Sequence, residues 1–134
     1  MAIAMPQPAI DPWNKPFWDA CAENRLIFQR CLETRKAWYP PSPVSPFAPR
    51  AAWDWIESAG WGEVLAWVVF HQKYFPGFGD RLPYNAAMVR LDEGPVLVSN
   101  IDAPNDEIRI GRRVALCFEQ RGAFNVPIFK WADE

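Results

Sequence analysis

His71 is the only histidine in the chain, and histidine is the side chain whose ordinary pKa suits it to general-base work near neutral pH. A period-two reading puts it on one strand face with Leu65, Trp67 and Val69. A structural histidine is the plainer reading there, because no Ser or Cys stands in a spacing that marks it as the partner nucleophile. Cys31 and Cys117 are nucleophiles by residue type. Cys117 sits inside the apolar strand VALCFEQ and Cys31 closes another strand, so both read as small hydrophobes. Asp92 and Glu93 are adjacent carboxylates, yet they occupy the turn DEG, where a solvated pair is expected rather than acid–base chemistry.

The stretch KYFPGFGDRLPY, residues 73–84, carries the strongest binding signal. It holds Tyr74, Phe75, Phe78 and Tyr84 among two glycines and two prolines. A hairpin loop of this length is uncommon without a function. Rings on such a frame suit a pantetheine arm, an acyl chain or a protein partner, and Arg81 or Lys73 suits a phosphate. The plainer alternative is a loop tucked onto the domain by its own aromatics. GFGDRL is too short for a Walker or dinucleotide phosphate loop.

The elements that would position these residues follow from the pattern. Residues 1–12 read as a loose arm. NKPFWDACAENR predicts a short helix capped by Asn14, with Pro16 in its first turn and Phe17, Ala20 and Cys21 on one face. LIFQRC predicts a strand. WDWIES, EVLAWVVFHQK, YNAAMVRLD, PVLVSNI and VALCFEQ then alternate as five strands, with DEG as a hairpin turn between the third and fourth. Five mostly antiparallel strands make a mainly β protein with a small closed barrel.

Composition narrows the function. The 134 residues suit one compact domain with a small appendage. Lys and Arg are scattered and the net charge is −2, which argues against nucleic acid, a partner that needs a basic patch. The start MAIAMPQPAI lacks the basic and apolar regions of a secretory signal. The longest apolar run, VLAWVVF, is too short to span a bilayer. Three widely spaced cysteines make no disulfide framework, and a reducing cytoplasm is the expected compartment. Eight tryptophans exceed what one small core hides, so several are expected on an association surface.

In order and spacing, PFWDACAENRLIFQRC, YPPSPVSP, WIESAGWGEV, PYNAAMVRLDEGPVLVSNI and IRIGRRVALCFE resemble domain-of-unknown-function family thirty-five, in which a rubredoxin-like zinc ribbon precedes an OB-fold. The resemblance implies an N-terminal arm and helix over residues 1–25, a ribbon over 26–52 and an OB-fold barrel over 53–134. The family's knuckle reads Cys-x-x-Cys, Tyr-Pro-Pro, Cys-x-x-Cys. Its four ligand places fall here on Cys31, Thr34, Ser45 and Ala48, so three of the four thiolates are missing. Structural zinc takes four Cys or His ligands, and the resemblance therefore implies a degenerate ribbon with no zinc. Trp38, Tyr39, Phe47 and Trp53 are the aromatics expected to hold the loop in its place.

The same resemblance implies a role in acyl-CoA metabolism, and so in lipid metabolism. It points to a non-catalytic accessory subunit of a thiolase-like condensing or retro-aldol enzyme, with acyl-CoA as ligand and the partner supplying the reactive groups. A homodimer through the helix and ribbon is the expected state of the isolated chain. Tyr74, Phe75, Phe78, Arg81 and Tyr84 are the expected acyl-CoA or partner contacts. The alternative is an OB-fold that stacks single-stranded nucleic acid on its aromatics; comparing acyl-CoA with single-stranded DNA at physiological salt separates the two.

Overall fold

The computed structural model describes residues 7–71 and 83–133. Among these residues are one α-helix, α1 (Lys15–Ala22), a short 3-10 helix at Asn105–Glu107 and eight strands. These are β1 (Ile27–Cys31), β2 (Ala37–Trp38), β3 (Trp53–Glu57), β4 (Trp61–Phe70), β5 (Tyr84–Leu91), β6 (Val96–Ser99), β7 (Arg113–Arg121) and β8 (Phe124–Trp131). They form two sheets, one ordered β2-β1-β3 and one ordered β6-β5-β4-β7-β8. Among the described residues no helix is long and apolar enough to cross a membrane.

Helix α1 buries Phe17, Ala20 and Cys21, which three- and four-residue spacing places on one stripe. Its start differs from expectation. The Asn14 side chain makes no cap bond. Instead Asp11 Oδ1 accepts the N–H groups of Trp13 and Asn14 at 2.8 and 2.7 Å, and Asn14 Oδ1 accepts the Asp11 N–H at 2.9 Å. The turn before the helix is thus closed by a reciprocal Asp–Asn pair.

Two strand assignments are corrected. WDWIE alternates like a barrel strand, but as β3 it pairs along its whole length with β1, from Ile27 opposite Glu57 to Cys31 opposite Trp53. It therefore belongs to the small sheet. The fifth strand of the barrel is β8, which follows VALCFEQ and pairs with β7 from Val114–Trp131 to Arg121–Phe124. Pro127 in its middle hid it, because a proline breaks the strand signature.

The long β4 serves two neighbours. It pairs with β5 along its length and with β7 only over Trp61–Glu63, and its register shifts between Val64 and Ala66. A bulge of this kind bends a strand so that one sheet can curl into a barrel. Gly62 lies where a Cβ would come 2.6 Å from the Arg90 carbonyl oxygen, so a side chain there would part β4 from β5. The DEG turn forms as read: Gly94 has φ +113, and the Leu91 N–H donates to the Pro95 carbonyl at 2.9 Å.

The carboxylates of that turn are structural. Asp92 takes two bonds of 2.8 Å from the Arg113 guanidinium, which holds its carboxyl below the usual range. Glu93 reaches to the β3–β4 turn, accepting the Ser58 hydroxyl at 2.7 Å and the Ala59 N–H at 2.9 Å. The small sheet and the barrel are joined there. They also share one core, in which Phe17 and Cys21 of α1 and Leu26 and Phe28 beside and within β1 meet Val64, Val89, Val114, Phe129 and Trp131.

Candidate functional site

The barrel closes through a narrow seam between β6 and β8. Ile101 and Phe129 bridge in parallel. The Phe129 N–H donates to the Asn100 carbonyl at 3.0 Å, and the Asp102 N–H donates to the Phe129 carbonyl at 2.7 Å. Strand alternation turns the backbone of Pro127 to the same side, and its carbonyl does accept the Ser99 hydroxyl at 2.6 Å. Proline has no N–H, so the ladder stops at this point.

Beside that stop lies a groove of about 500 Å3. Helix α1 contributes Phe17 and Trp18, and Tyr39 follows β2. Phe70, Tyr84 and Ala86 come from β4 and β5, Leu97, Val98 and Ser99 from β6, and Val126 and Pro127 from β8. Asn100 and Arg121 are its remaining polar members. The rings brace one another: Phe17 meets Trp18 edge-on at 5.1 Å and Tyr39 at 5.4 Å, and Trp18 meets Phe124 at 5.5 Å. Such edge and tilted contacts are the favoured geometries of aromatic pairs. Phe70 and Tyr84 lie 5.0 Å apart, tilted by 31°.

The polar members are engaged. Arg121 Nη2 donates to Asn100 Oδ1 at 2.6 Å and to Glu119 Oε2 at 3.0 Å, and its side chain is 11% exposed. Asn100 Nδ2 donates to the Asn85 carbonyl. The guanidinium is therefore balanced by a carboxylate inside the fold.

The residues chosen from sequence are distributed differently from expectation. Tyr84 lines the groove. Tyr74, Phe75, Phe78 and Arg81 lie outside the described residues. His71 is not on a strand face: β4 ends at Phe70, and His71 follows it, exposed. Burial pushes the Cys21 thiol up to about 12 and raises that of Cys117, so neither is a thiolate at neutral pH. Phe17, Trp18, Tyr39, Arg121 and Pro127 were missed as site residues. Pro127 alone carried a signal, a proline inside an otherwise strand-like run.

The knuckle places are brought together in part. Cys31 is covered by its neighbours in a thin sheet, where desolvation is slight. Its sulfur accepts the hydroxyls of Ser45 and Thr34 and the backbone N–H groups of Thr34 and Glu33, and these bonds lower its pKa from 9.0 to about 7. Ser45 is fully buried, and its oxygen in turn accepts the N–H groups of Phe47 and Ala48 at 3.1 and 3.2 Å. A folded pKa below the unfolded one adds stability that is complete above about 9 and lost as pH falls through about 7. The ultraviolet thiolate absorbance is expected to titrate near pH 7, to vanish in Cys31→Ser and to move upward in Ser45→Ala. A midpoint near 9 in the unaltered chain refutes the assignment.

Of the aromatics expected to hold this loop, Trp38 is buried and meets Trp53 edge-on at 6.1 Å. Phe47 is 44% exposed and stands outside that packing. Trp38 and Trp53 also donate their indole N–H groups to Ser42 Oγ and the Pro43 carbonyl, each at 3.0 Å. The loop is pinned as well by Gln29, which is 1% exposed. Its Nε2 donates to the Ser42 carbonyl at 2.7 Å, and its Oε1 accepts the Ser42 N–H at 2.8 Å.

A five-stranded barrel with a β6–β8 parallel closure, preceded by a helix and a three-stranded knuckle, defines a ribbon-plus-OB-fold protein. Residues 18–44 match the family model described as ChsH2, rubredoxin-like zinc ribbon domain, and residues 55–119 match that of ChsH2, C-terminal OB-fold domain. The chain belongs to the DUF35 family of zinc-ribbon and OB-fold proteins. A DUF35 domain-containing scaffold protein of Pyrococcus furiosus is 30% identical over 102 residues, covering 75% of this chain and 74% of that protein. A probable enoyl-CoA hydratase alpha subunit of Thermomonospora curvata is 35% identical over 127 residues. The match covers 93% of this chain but 39% of that protein, so the chain spans about two fifths of that relative's length.

Among solved structures, a chain of the Ltp2–ChsH2(DUF35) aldolase superposes with a TM-score of 0.84 at 34% identity, covering 94% of this chain and 99% of that one. A DUF35 protein of unknown function from Sulfolobus solfataricus superposes with a TM-score of 0.67 at 11% identity and covers 90% and 85% of the two chains, a likeness of fold.

The ribbon match corrects the expectation of a chain without zinc, because residues 18–44 belong to a family described as a zinc ribbon. The donors at the four places are one thiol, two hydroxyls and a methyl group. Among the described residues no three His, Cys, Asp or Glu side chains gather as a metal site. This set does not fit the four-ligand pattern of structural zinc.

Proposed function

We propose that this chain is a non-catalytic accessory subunit of a thiolase-like acyl-CoA enzyme, contributing to acyl-CoA binding and to the stability of the assembly. The observation that carries the reading is the superposition on the aldolase chain over 94% of this one. One feature of the chain supports it. The barrel carries an uncovered apolar face, where Ala66, Met88 and Val98 lie side by side on β4, β5 and β6 and Val68 continues the row. Val68, Met88 and Val98 are 54%, 42% and 66% exposed, and contiguous apolar surface of this kind marks contact with another macromolecule. With three free cysteines, the reading places the chain in a reducing cytoplasm.

Co-expression with a thiolase-like enzyme, the aldolase partner in the Ltp2–ChsH2(DUF35) assembly being the first choice, tests the proposal. A complex well above the 15.4 kDa of this chain is expected on sizing, with acyl-CoA cleavage that falls when this chain is left out. Separate elution of the two chains with unchanged cleavage overturns it.

A further inference from the structure

We propose that the β6–β8 groove is a slot for the apolar acyl group of an acyl-CoA, with the nucleotide end of the ligand left outside. This deepens the accessory-subunit reading and rests on it for the identity of the ligand class. The volume of about 500 Å3 lies in the range of small-molecule sites, which are mostly apolar with a few polar groups.

Three observations choose hydrocarbon over other occupants. The Arg121 guanidinium already faces Glu119 at 3.0 Å, so the groove holds no unbalanced charge waiting for a phosphate or a carboxylate. The Ser99 hydroxyl is donated to Pro127, and the Asn100 amide is donated to Asn85. Pro127 has no N–H to offer an added peptide strand at this edge. Besides the two tyrosines, Tyr39 and Tyr84, the rest of the lining is carbon: the rings of Phe17, Trp18 and Phe70, Ala86, and the aliphatic side chains of β6 and β8. A neutral, apolar group gains from burial there and asks for no new hydrogen bond.

Calorimetry on the full chain with lauroyl-CoA and with CoA alone tests the proposal. The unaltered chain is expected to bind lauroyl-CoA at least tenfold more tightly than CoA. Ala86→Trp fills the groove from the barrel's outer face, where a β-favouring side chain is well tolerated. It is expected to abolish that preference while leaving the melting temperature within a few degrees. Val126→Trp, from β8, fills the same groove and serves if the first variant folds poorly. Equal binding of lauroyl-CoA and CoA by the unaltered chain overturns the proposal, as does an undiminished preference in a folded Trp variant. Complex formation with a thiolase-like partner, measured on the unaltered chain, reports separately on the subunit role. In that chain, retained assembly without acyl preference refutes the slot alone, and acyl preference without assembly refutes the subunit reading alone.

Discussion

Trp131→Ala is expected to lower the unfolding free energy by about 3–5 kcal/mol, the usual cost of deleting a large buried aromatic. Trp131 counts among the tryptophans that the sequence assigns to a possible association surface, yet it is fully buried in the common core. The Arg112 guanidinium lies 3.9 Å from its ring, and its indole N–H donates to Glu107 Oε1 at 3.2 Å. Truncation removes the ring, empties a volume between β8 and the 3-10 turn at Asn105–Glu107, and leaves both polar neighbours without the group they are packed on. Small domains have a total of about 5–15 kcal/mol to lose, so the variant should sit near the edge of folding. Urea titration checks it: the midpoint should fall sharply with the slope unchanged. A loss under about 1 kcal/mol would mean that the site is not core.

The tryptophans show what composition can and cannot decide. Their number argued for surface exposure, and Trp13 and Trp61 are indeed 46% and 45% exposed. Trp18, Trp53, Trp55 and Trp67 are only half-covered, and Trp38 and Trp131 are buried. A count fixes how much aromatic surface must be accommodated, but the topology decides which rings receive cover.

Local structure was legible where a short-range rule governs it. The face of α1 follows from the spacing of Phe17, Ala20 and Cys21, and the β5–β6 hairpin follows from DEG. Pairing was not legible, because alternation in WDWIE says that one face is covered and not which strand lies beside it. β3 therefore went to the wrong sheet. The groove was illegible for the same reason on a larger scale. It is assembled from α1, the end of β2, β4 to β6, β7 and β8, and no single stretch of the chain contains enough of it to form a motif. The sequence pointed instead to residues 73–84, where aromatic rings and glycines are adjacent in the chain, and of its five named contacts only Tyr84 falls among the described residues and on the groove.

Gln29→Leu is expected to loosen the proline-rich loop more than Phe47→Ala does, although the sequence assigns the holding role to aromatics. Gln29 is a buried polar side chain in β1 whose amide meets both backbone groups of Ser42. Ser42 in turn accepts the Trp38 indole N–H at 3.0 Å and donates its hydroxyl to the Val44 carbonyl at 2.8 Å, so the amide anchors a chain of contacts. Leucine fills nearly the same space but strands two backbone groups, each worth about 1–3 kcal/mol when left unsatisfied. Ser42 is half-buried, and water reaching it puts the total toward the lower end, about 2 kcal/mol. Phe47 is 44% exposed and sits under Lys36, whose amine is 5.4 Å from the ring centre, so its truncation should cost well under about 1 kcal/mol. Limited proteolysis of residues 40–49 and urea midpoints should rank the two variants in that order. Faster cleavage in Phe47→Ala than in Gln29→Leu would return the loop to aromatic packing and leave the Gln29 bonds as followers of the fold rather than a cause of it.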